Sequence, residues 1–372
     1  MRIVYVVGTR PNFVKMAPVI AALRRRLPDG RHVVVHTGQH YDQLMSEIFV
    51  EELGVPEPDH LLGVGSGTHG EQTARVIERL EPVLDEERPD LVLVPGDVNS
   101  TLAAALAAAK LGIRLGHVES GLRSFDRSMP EEINRVVADQ LSELLFLHSE
   151  DAADNLRREG VAEERMHFVG NTMIDTLVSL EGRFKAAGAA ERLGLDPSGY
   201  LLVTLHRPML VDGPLLEEAM AHLAVVAREL PVVFPVHPRT RKMLGSGGAE
   251  HPGVVLTDPV GYLDFLSLEA DARAVLTDSG GIQEETTYLG VPCFTLRANT
   301  ERPVTVRQGT NTVLGLDPDR IAEIPALLGA RDDARREPPP LWDGHAAERV
   351  AEVVAGPERA ESGKLSARPA DR

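Results

Sequence analysis

The sequence predicts an α/β protein built from two doubly wound parallel-sheet domains in tandem. Short apolar runs alternate with amphipathic stretches along residues 1–182, and the same alternation resumes along residues 190–343. Continuous apolar strands separated by helices are typical of parallel sheets that are covered on both faces. The 372 residues are enough for two domains of ordinary size, each with a core of its own.

The first domain is predicted to contain six strands and six helices in alternation. The strands are expected at 3–7, 33–36, 91–95, 114–118, 144–147 and 167–169. The helices are expected at 14–26, 41–53, 70–85, 100–111, 131–142 and 152–160.

The second domain repeats this organisation after a polar stretch at 182–198, which puts the domain junction near residues 180–195. Its strands are expected at 201–205, 232–236, 254–256, 274–276 and 293–296. A helix within 344–355 follows and is expected to pack back on the first domain. The polar tail, 356–372, is predicted to be disordered.

Composition and charge exclude several classes of function. The formal net charge of −17 argues against a nucleic-acid or anionic-membrane partner. No apolar stretch approaches the ~20 residues of a membrane span, and the first residues read as a strand and not as a signal peptide. The spacings typical of metal sites are missing, and the only cysteine, Cys293, leaves no intramolecular disulfide. We therefore expect a cytoplasmic protein.

The segment 275–287, VLTDSGGIQEETT, carries the strongest functional signal. It predicts a strand, a tight turn and a helix start, where unpaired backbone N–H groups can bind a phosphate. Gly280 and Gly281 let the backbone approach that phosphate, Ser279 adds a hydroxyl, and Glu285 one turn on suits a ribose diol. An ordinary capped strand–helix junction has the same turn chemistry, so this segment alone leaves both interpretations open.

Polar residues also follow six of the predicted strands. In doubly wound folds the ligand lies at the carboxyl ends of the strands, and two such domains in tandem form a cleft there. Six polar strand ends directed at one cleft predict a ligand site between the domains. These loops are 8–10, 37–40, 96–97, 117–121, 206–207 and 237–239.

The acidic candidates are Asp97, Glu119 and Glu131. Asp97 and Glu119 end adjacent strands, so we expect them to lie close together and to supply one acid and one base. Asp97 could instead cap a helix, and Glu131 could be a first-turn helix acid. Glu119 suits a cap less well, because Ser120 and Gly121 follow it. At the end of another strand, the predicted role of His206 is acid/base chemistry or phosphate contact, with a buried, satisfied histidine as the alternative.

The basic candidates flank the same cleft. Arg10 and Lys15 border a helix start after the first strand, which favours contact with an anion over a plain surface position. Arg207 stands beside the strand-end histidine. His237 and Arg239 surround a proline at a helix start and could either cap that helix or hold a ligand.

A literal G-x-G-x-x-G at 65–70, with Asp90 twenty residues on, could suggest a dinucleotide cofactor. The fingerprint requires a core strand before it and the acid at the end of the next strand. No core strand is predicted at 57–60, and Asp90 begins a strand. We therefore interpret 65–70 as a polar loop and expect no NAD there.

The motifs stand in an order that resembles the non-hydrolysing UDP-N-acetylglucosamine 2-epimerase family, from residue 1 to about 350. They are GTRP at 8–11, TGQH at 37–40, GD at 96–97, HVESGLRS at 117–124, MPEEINR at 129–135, VTLHR at 203–207, VHPR at 236–239 and TDSGGIQEE at 277–285. The resemblance implies a GT-B-type fold of two Rossmann-like domains with an interdomain cleft for the nucleotide sugar. It also implies a homodimer that needs neither a cofactor nor a metal.

The resemblance assigns roles to individual positions. The catalytic positions that match are Asp97, Glu119, Glu131 and His206. The substrate-binding positions are Arg10, His237, Ser279, Gly280, Gly281 and Glu285, to which we add Lys15, Arg135, Arg207 and Arg239. Gln39, His40 and Gln43 fall where some bacterial members bind a second, activating UDP-N-acetylglucosamine.

One pair of residues departs from the family pattern. Met209 and Leu210 stand where the family carries a polar pair after His-Arg-Pro. This replacement predicts weak or absent activation by substrate.

The implied reaction is reversible C2 epimerisation of UDP-N-acetylglucosamine to UDP-N-acetylmannosamine. UDP would be eliminated to leave 2-acetamidoglucal and would then add back. Three alternatives stay open at this point: a hydrolysing epimerase, another GT-B enzyme acting on a UDP sugar, and an inactive regulator that binds nucleotide sugars.

Overall fold

The computed structural model describes residues 1–38, 53–54, 56–236, 238–244, 253–330 and 337–356, with the backbone alone for Pro208, Pro238 and Arg239. Some of the positions predicted from the sequence lie outside the described residues. They are Gln39, His40, Gln43, His237, the side chain of Arg239, most of the predicted helix 41–53 and the tail from residue 357.

The described chain contains two sheets, and every strand pair in them is parallel. The first has seven strands in the order β3-β2-β1-β4-β5-β6-β7, and the second has six in the order β10-β9-β8-β11-β12-β13. The strand order reverses beside β1 in one sheet and beside β8 in the other, which is where doubly wound folds bind ligands. The prediction of two parallel-sheet α/β domains is confirmed.

The strands are β1 Arg2–Val7, β2 Arg31–His36, β3 His60–Leu61, β4 Leu91–Pro95, β5 Arg114–Ser120, β6 Leu144–Leu147, β7 Met166–Phe168, β8 Leu201–Thr204, β9 Val232–Pro235, β10 Val254–Thr257, β11 Ala274–Thr277, β12 Cys293–Thr295 and β13 Asn311–Val313. The α-helices are Arg10–Arg26, His69–Glu87, Asn99–Lys110, Pro130–Leu141, Glu150–Arg158, Thr172–Ala187, Ala189–Arg192, Pro208–Val211, Leu215–Val226, Pro238–Leu244, Tyr262–Ala270, Gly280–Leu289, Pro303–Arg307, Ile324–Gly329 and Ala346–Ala355.

The helix Thr172–Ala187 runs through the first part of the predicted junction. Its stripe of Leu177, Leu180 and Phe184 is buried together with Tyr262 and Leu266 of the second domain. Apolar residues three and four apart form one helical face, while the polar residues among them face outward and give the segment its polar composition. The junction therefore begins as a helix that packs against the second domain.

The helix Ala346–Ala355 lies on the first domain. Val350 and Val354 are buried in the same cluster as Ile20 and Leu23 of the first domain. The Asp175 carboxylate caps the start of this helix, because it accepts the backbone N–H groups of the first two helical residues at 3.0 and 2.6 Å.

Two strands were missed in the sequence: β3 has two residues and β13 has three, and each contains only one apolar residue. Both lie at a sheet edge. The G-x-G-x-x-G segment leads into the helix His69–Glu87, where Thr68 and Glu71 form a capping box. Among the residues that the model describes, no helix is long and apolar enough to cross a membrane.

Candidate active site

Glu119 lies at the carboxyl end of β5 in an unusual backbone conformation. Its φ is +69°, and the pairing of β5 with β6 shifts register between Val118 and Ser120. A left-handed conformation in a residue with a side chain costs about 1–3 kcal/mol and persists only where the surroundings hold it. Strain at a strand end beside a cleft is typical of functional positions.

The Glu119 carboxylate is 7% exposed and is bound by cations from both domains. Lys15 of the first domain donates to Oε2, and Arg302 of the second domain donates to Oε1 at 2.7 Å. This carboxylate therefore joins the two domains.

Asp97 follows β4 and lies beside Glu119. A Cβ atom added to Gly96 would come within 3.2 Å of Glu119 Oε2, so the loop passes directly against that carboxylate. Arg135 donates to Asp97 Oδ2 at 2.6 Å, and the Asp97 side chain remains 24% exposed. It is the more accessible of the two neighbouring carboxylates.

Arg302 is the main residue of the site that sequence reasoning missed. Its guanidinium is buried and reaches Glu119 at 2.7 Å, Glu284 at 2.6 Å, and Glu301. Burial would lower the pKa of Arg302, but the charges of Glu284, Glu301 and Glu119 raise it. A signal was available, since Glu301 and Arg302 follow β12 just as the predicted site residues follow their strands.

Glu284 extends this network to the first domain. It is fully buried, and one of its oxygens lies 3.2 Å from Nε2 of His148. Burial would raise the pKa of Glu284, but Arg302, His148 and Lys15 outweigh it and lower the pKa to about 2. Of the two adjacent carboxylates, Glu284 and Glu285, Glu284 thus belongs to the ion-pair network.

The loop after β8 is fixed by Asp278. The Asp278 carboxylate accepts the backbone N–H groups of His206 at 2.8 Å and Arg207 at 2.7 Å, and the His206 ring lies 2.9 Å from it. The His206 side chain is still 54% exposed and so can reach a molecule in the cleft. Burial and the charge of Arg297 lower the pKa of Arg207, and the charges of Glu301, Asp278 and the half-buried Glu131 oppose this shift.

The helix Gly280–Leu289 begins beside the Arg302 network. Ser279 is its N-cap residue, but the side chain makes no capping hydrogen bond to the helix. A Cβ atom at Gly280 would collide with the Arg302 guanidinium, and one at Gly281 would lie 3.0 Å from Met173. The glycines therefore allow close packing at a helix N-terminus that favours anions.

Glu285 and Arg10 meet through Tyr262. The Tyr262 hydroxyl donates to Glu285 Oε1 at 2.6 Å, and the Arg10 guanidinium lies 5.6 Å from the centre of the Tyr262 ring. Burial, opposed by this hydrogen bond and by Arg10, raises the pKa of Glu285 to about 7. Glu269 is buried nearby, and burial together with the charge of Glu285 raises its pKa as well.

Met209 and Leu210, which replace a polar pair, take different positions. The Leu210 side chain is buried in the core of the second domain, whereas Met209 is 72% exposed. Leu210 contributes to packing, and Met209 leaves an apolar surface where a polar contact was expected.

The two parallel-sheet domains, with Lys15 of one and Arg302 of the other meeting at Glu119, place the protein among the two-domain Rossmann-like enzymes of the GT-B type. A family model described as UDP-N-acetylglucosamine 2-epimerase matches residues 22–355. The chain belongs to the UDP-N-acetylglucosamine 2-epimerase family, and the resemblance seen in the motifs is confirmed.

Individual relatives agree with this assignment. A UDP-N-acetylglucosamine 2-epimerase of Methanococcus maripaludis is 41% identical over 367 residues, which cover 95% of this chain and 98% of the relative. A UDP-2,3-diacetamido-2,3-dideoxy-D-glucuronate 2-epimerase of Pseudomonas aeruginosa is 41% identical over 365 residues, covering 95% and 99%.

A solved structure confirms the predicted GT-B-type fold. The Methanocaldococcus jannaschii UDP-GlcNAc 2-epimerase, solved with UDP-GlcNAc and UDP, is similar with a TM-score of 0.86 and 40% identity, covering 95% of this chain and 99% of that one.

Proposed function

We propose that this protein interconverts UDP-N-acetylglucosamine and UDP-N-acetylmannosamine by inverting C2, without net hydrolysis. The observation that carries the proposal is the strained Glu119, held by Lys15 and Arg302 from opposite domains beside the helix that begins at Gly280. A carboxylate held in this way next to an anion-binding helix start can act on a sugar whose diphosphate occupies that helix start.

The second domain holds the nucleotide in this proposal. The diphosphate receives the backbone N–H groups of Gly280 and Gly281 and the Ser279 hydroxyl, and the ribose diol donates to Glu285. Arg10 approaches the same nucleotide from the first domain, across the Tyr262 ring. The sugar then extends toward the carboxylates of the first domain.

The reaction begins with departure of UDP, because C2–H of an N-acetylhexosamine is not adjacent to a carbonyl and is weakly acidic. The bond between C1 and the diphosphate oxygen breaks, C1 gains cationic character, and a carboxylate removes the C2 proton to leave 2-acetamidoglucal. Arg10, His206 and the helix start at Ser279 stabilise the charge of the departing UDP.

Return of UDP completes the inversion. A second group, acting as an acid, protonates C2 from the face opposite to the base, and the UDP oxygen bonds again to C1. Two faces of C2 require two proton carriers, and Asp97, Glu119 and Glu131 provide the carboxylates for them. Arg135, which binds Asp97 at 2.6 Å, orients one of these groups.

A second candidate substrate is the UDP-2,3-diacetamido-2,3-dideoxy-glucuronate on which the Pseudomonas aeruginosa relative is named to act. That relative is as similar to this chain as the Methanococcus maripaludis enzyme, at 41% identity. The chemistry at C2 is the same for both sugars, and they differ at C3 and C6.

Proton NMR of the products separates these candidates. We expect the purified protein alone to convert UDP-N-acetylglucosamine into an equilibrium mixture with UDP-N-acetylmannosamine. Conversion of UDP-2,3-diacetamido-2,3-dideoxy-glucuronate, without conversion of UDP-N-acetylglucosamine, would favour the second candidate. Accumulation of UDP with free N-acetylmannosamine would indicate a hydrolysing enzyme, and binding without turnover of either sugar would indicate a regulator.

The raised pKa of Glu285 predicts that the affinity for UDP depends on pH. The ribose hydroxyls donate to an ionised carboxylate, and a pKa of about 7 leaves Glu285 mostly protonated at lower pH. The affinity should therefore weaken as pH falls through 7, approaching about tenfold for each unit below it. Titration calorimetry between about pH 8 and pH 6 measures this change.

Glu285→Gln is the control for that experiment, because its amide does not titrate while UDP titrates equally in both proteins. We expect a shallower pH dependence in the variant than in the wild type. Equal slopes in the two proteins would show that Glu285 does not bind the ribose.

We also propose that the protein is a homodimer, as the family resemblance implies. Light scattering on the purified protein would give a mass of about twice 40.4 kDa for a dimer. A mass equal to that of one chain would contradict this proposal.

A further inference from the structure

Asp139 is a fully buried carboxylate near the end of the helix Pro130–Leu141, and no role in the proposed reaction has been given to it. One of its oxygens lies 2.6 Å from Nδ1 of His117. The other accepts the backbone N–H of Gly121 at 3.1 Å and lies 2.7 Å from the Arg123 guanidinium. Burial would raise the pKa of the Asp139 carboxyl, but His117 and Arg123 outweigh it and lower the pKa.

The residues that Asp139 binds flank Glu119 on both sides. His117 is two positions before Glu119 and Gly121 is two positions after it, so one carboxylate fixes both ends of the strained segment. Gly121 adopts φ +79° and packs against Ala152 so closely that a Cβ atom would collide there. Asp139, which is fully buried, thus holds the backbone on both sides of Glu119, whose own backbone conformation is left-handed.

His117 links Asp139 to the loop that contains Gly96 and Asp97. Its second ring nitrogen lies 2.6 Å from the carbonyl oxygen of Gly96. The His117 ring thus bridges the Asp139 carboxylate and the Gly96 carbonyl oxygen. Gly96 in turn packs against the Glu119 carboxylate, as described above.

We propose that Asp139 is a positioning residue: through His117 and Gly121 it holds the Glu119 backbone and the Gly96 loop in the geometry that epimerisation requires. The inference rests on the proposed function, and Asp139 itself touches no substrate. Nucleotide contacts in the second domain are independent of Asp139, so its loss should lower kcat and leave UDP affinity unchanged.

The test is a double-mutant cycle between Asp139→Asn and Glu119→Gln, assayed by NMR on the full-length protein. We expect D139N to lower kcat by about 10- to 100-fold, as expected for a misplaced acid/base group, with UDP affinity within about twofold of wild type. In the E119Q background D139N should have little further effect, because its effect passes through the Glu119 carboxylate. The exposed Asp154, which pairs with Arg157 at 2.9 Å, provides the matched control D154N, with activity as in wild type.

His117→Gln tests the same claim if D139N does not fold, because it leaves Asp139 bound to Arg123 and Gly121. We expect the same loss of kcat and the same lack of additivity with E119Q. Wild-type kcat in both variants, or losses that multiply with that of E119Q, would overturn the positioning role. If the wild-type protein itself were inactive, the proposed function would be overturned, and the positioning role of Asp139 would fall with it.

Discussion

Replacing Glu119 by Gln is expected to lower kcat by about 100-fold or more, which is the usual scale for loss of an acid/base group. The side chain keeps its size and can still accept from Lys15 or Arg302, so the affinity for UDP should change little, while the melting temperature should fall because the buried Lys15 and Arg302 lose a compensating charge. Turnover measured by NMR and UDP binding measured by calorimetry separate these two effects. Asp97→Asn and Glu131→Gln are expected to behave in the same way.

The matched control is Glu143→Gln. Glu143 is an exposed glutamate that pairs with Arg114 at 3.2 Å, and exposed pairs contribute little. We expect this variant to retain wild-type kcat. If folded E119Q instead kept wild-type kcat, or lost turnover only through loss of UDP binding, the assignment of Glu119 to the chemistry would be wrong.

Replacing Arg302 by Gln is expected to destabilise the protein strongly. The change leaves Glu119, Glu284 and Glu301 buried without the cation that they share. Removal of one partner from a buried ion pair costs about 3–5 kcal/mol, because the remaining charge is left uncompensated. The melting temperature should therefore fall clearly, and kcat should fall as Glu119 loses its partner from the second domain.

Arg307→Gln is the control for this prediction. Arg302 is the N-cap residue of the short helix Pro303–Arg307, and Arg307 is exposed at the other end of that helix. Exposed substitutions away from such networks usually change stability by less than about 0.5 kcal/mol. A melting temperature for R302Q equal to that of R307Q would show that the buried network does not stabilise the protein.

Local sequence patterns predicted most strands of both sheets and missed one edge strand in each. The strands Leu91–Pro95 and Leu144–Leu147 were predicted with their observed bounds, since continuous apolar runs mark strands that are buried on both faces. The edge strands β3 and β13 were missed because each contains a single apolar residue and so carries no such run. The helix Thr172–Ala187 extends into a stretch that looked polar, because only one of its faces is buried.

The candidate site was also predicted only in part. Asp97 and Glu119 could be placed together from the sequence, because both end adjacent parallel strands. The ion pair between Glu119 and Arg302 could not be predicted, because it joins residues 183 positions apart and depends on how the two domains meet. For the same reason, the role of Tyr262 in bringing Arg10 to Glu285 was not visible in the sequence.

The most direct test of proton exchange at C2 is to run the reaction in D2O and to examine C2 by proton NMR and mass spectrometry. Elimination followed by protonation from solvent predicts that UDP-N-acetylmannosamine formed from UDP-N-acetylglucosamine carries deuterium at C2 and gains one mass unit. An inverted product that keeps its original hydrogen at C2 would contradict the account, because no carboxylate in the cleft would then have exchanged that proton with water.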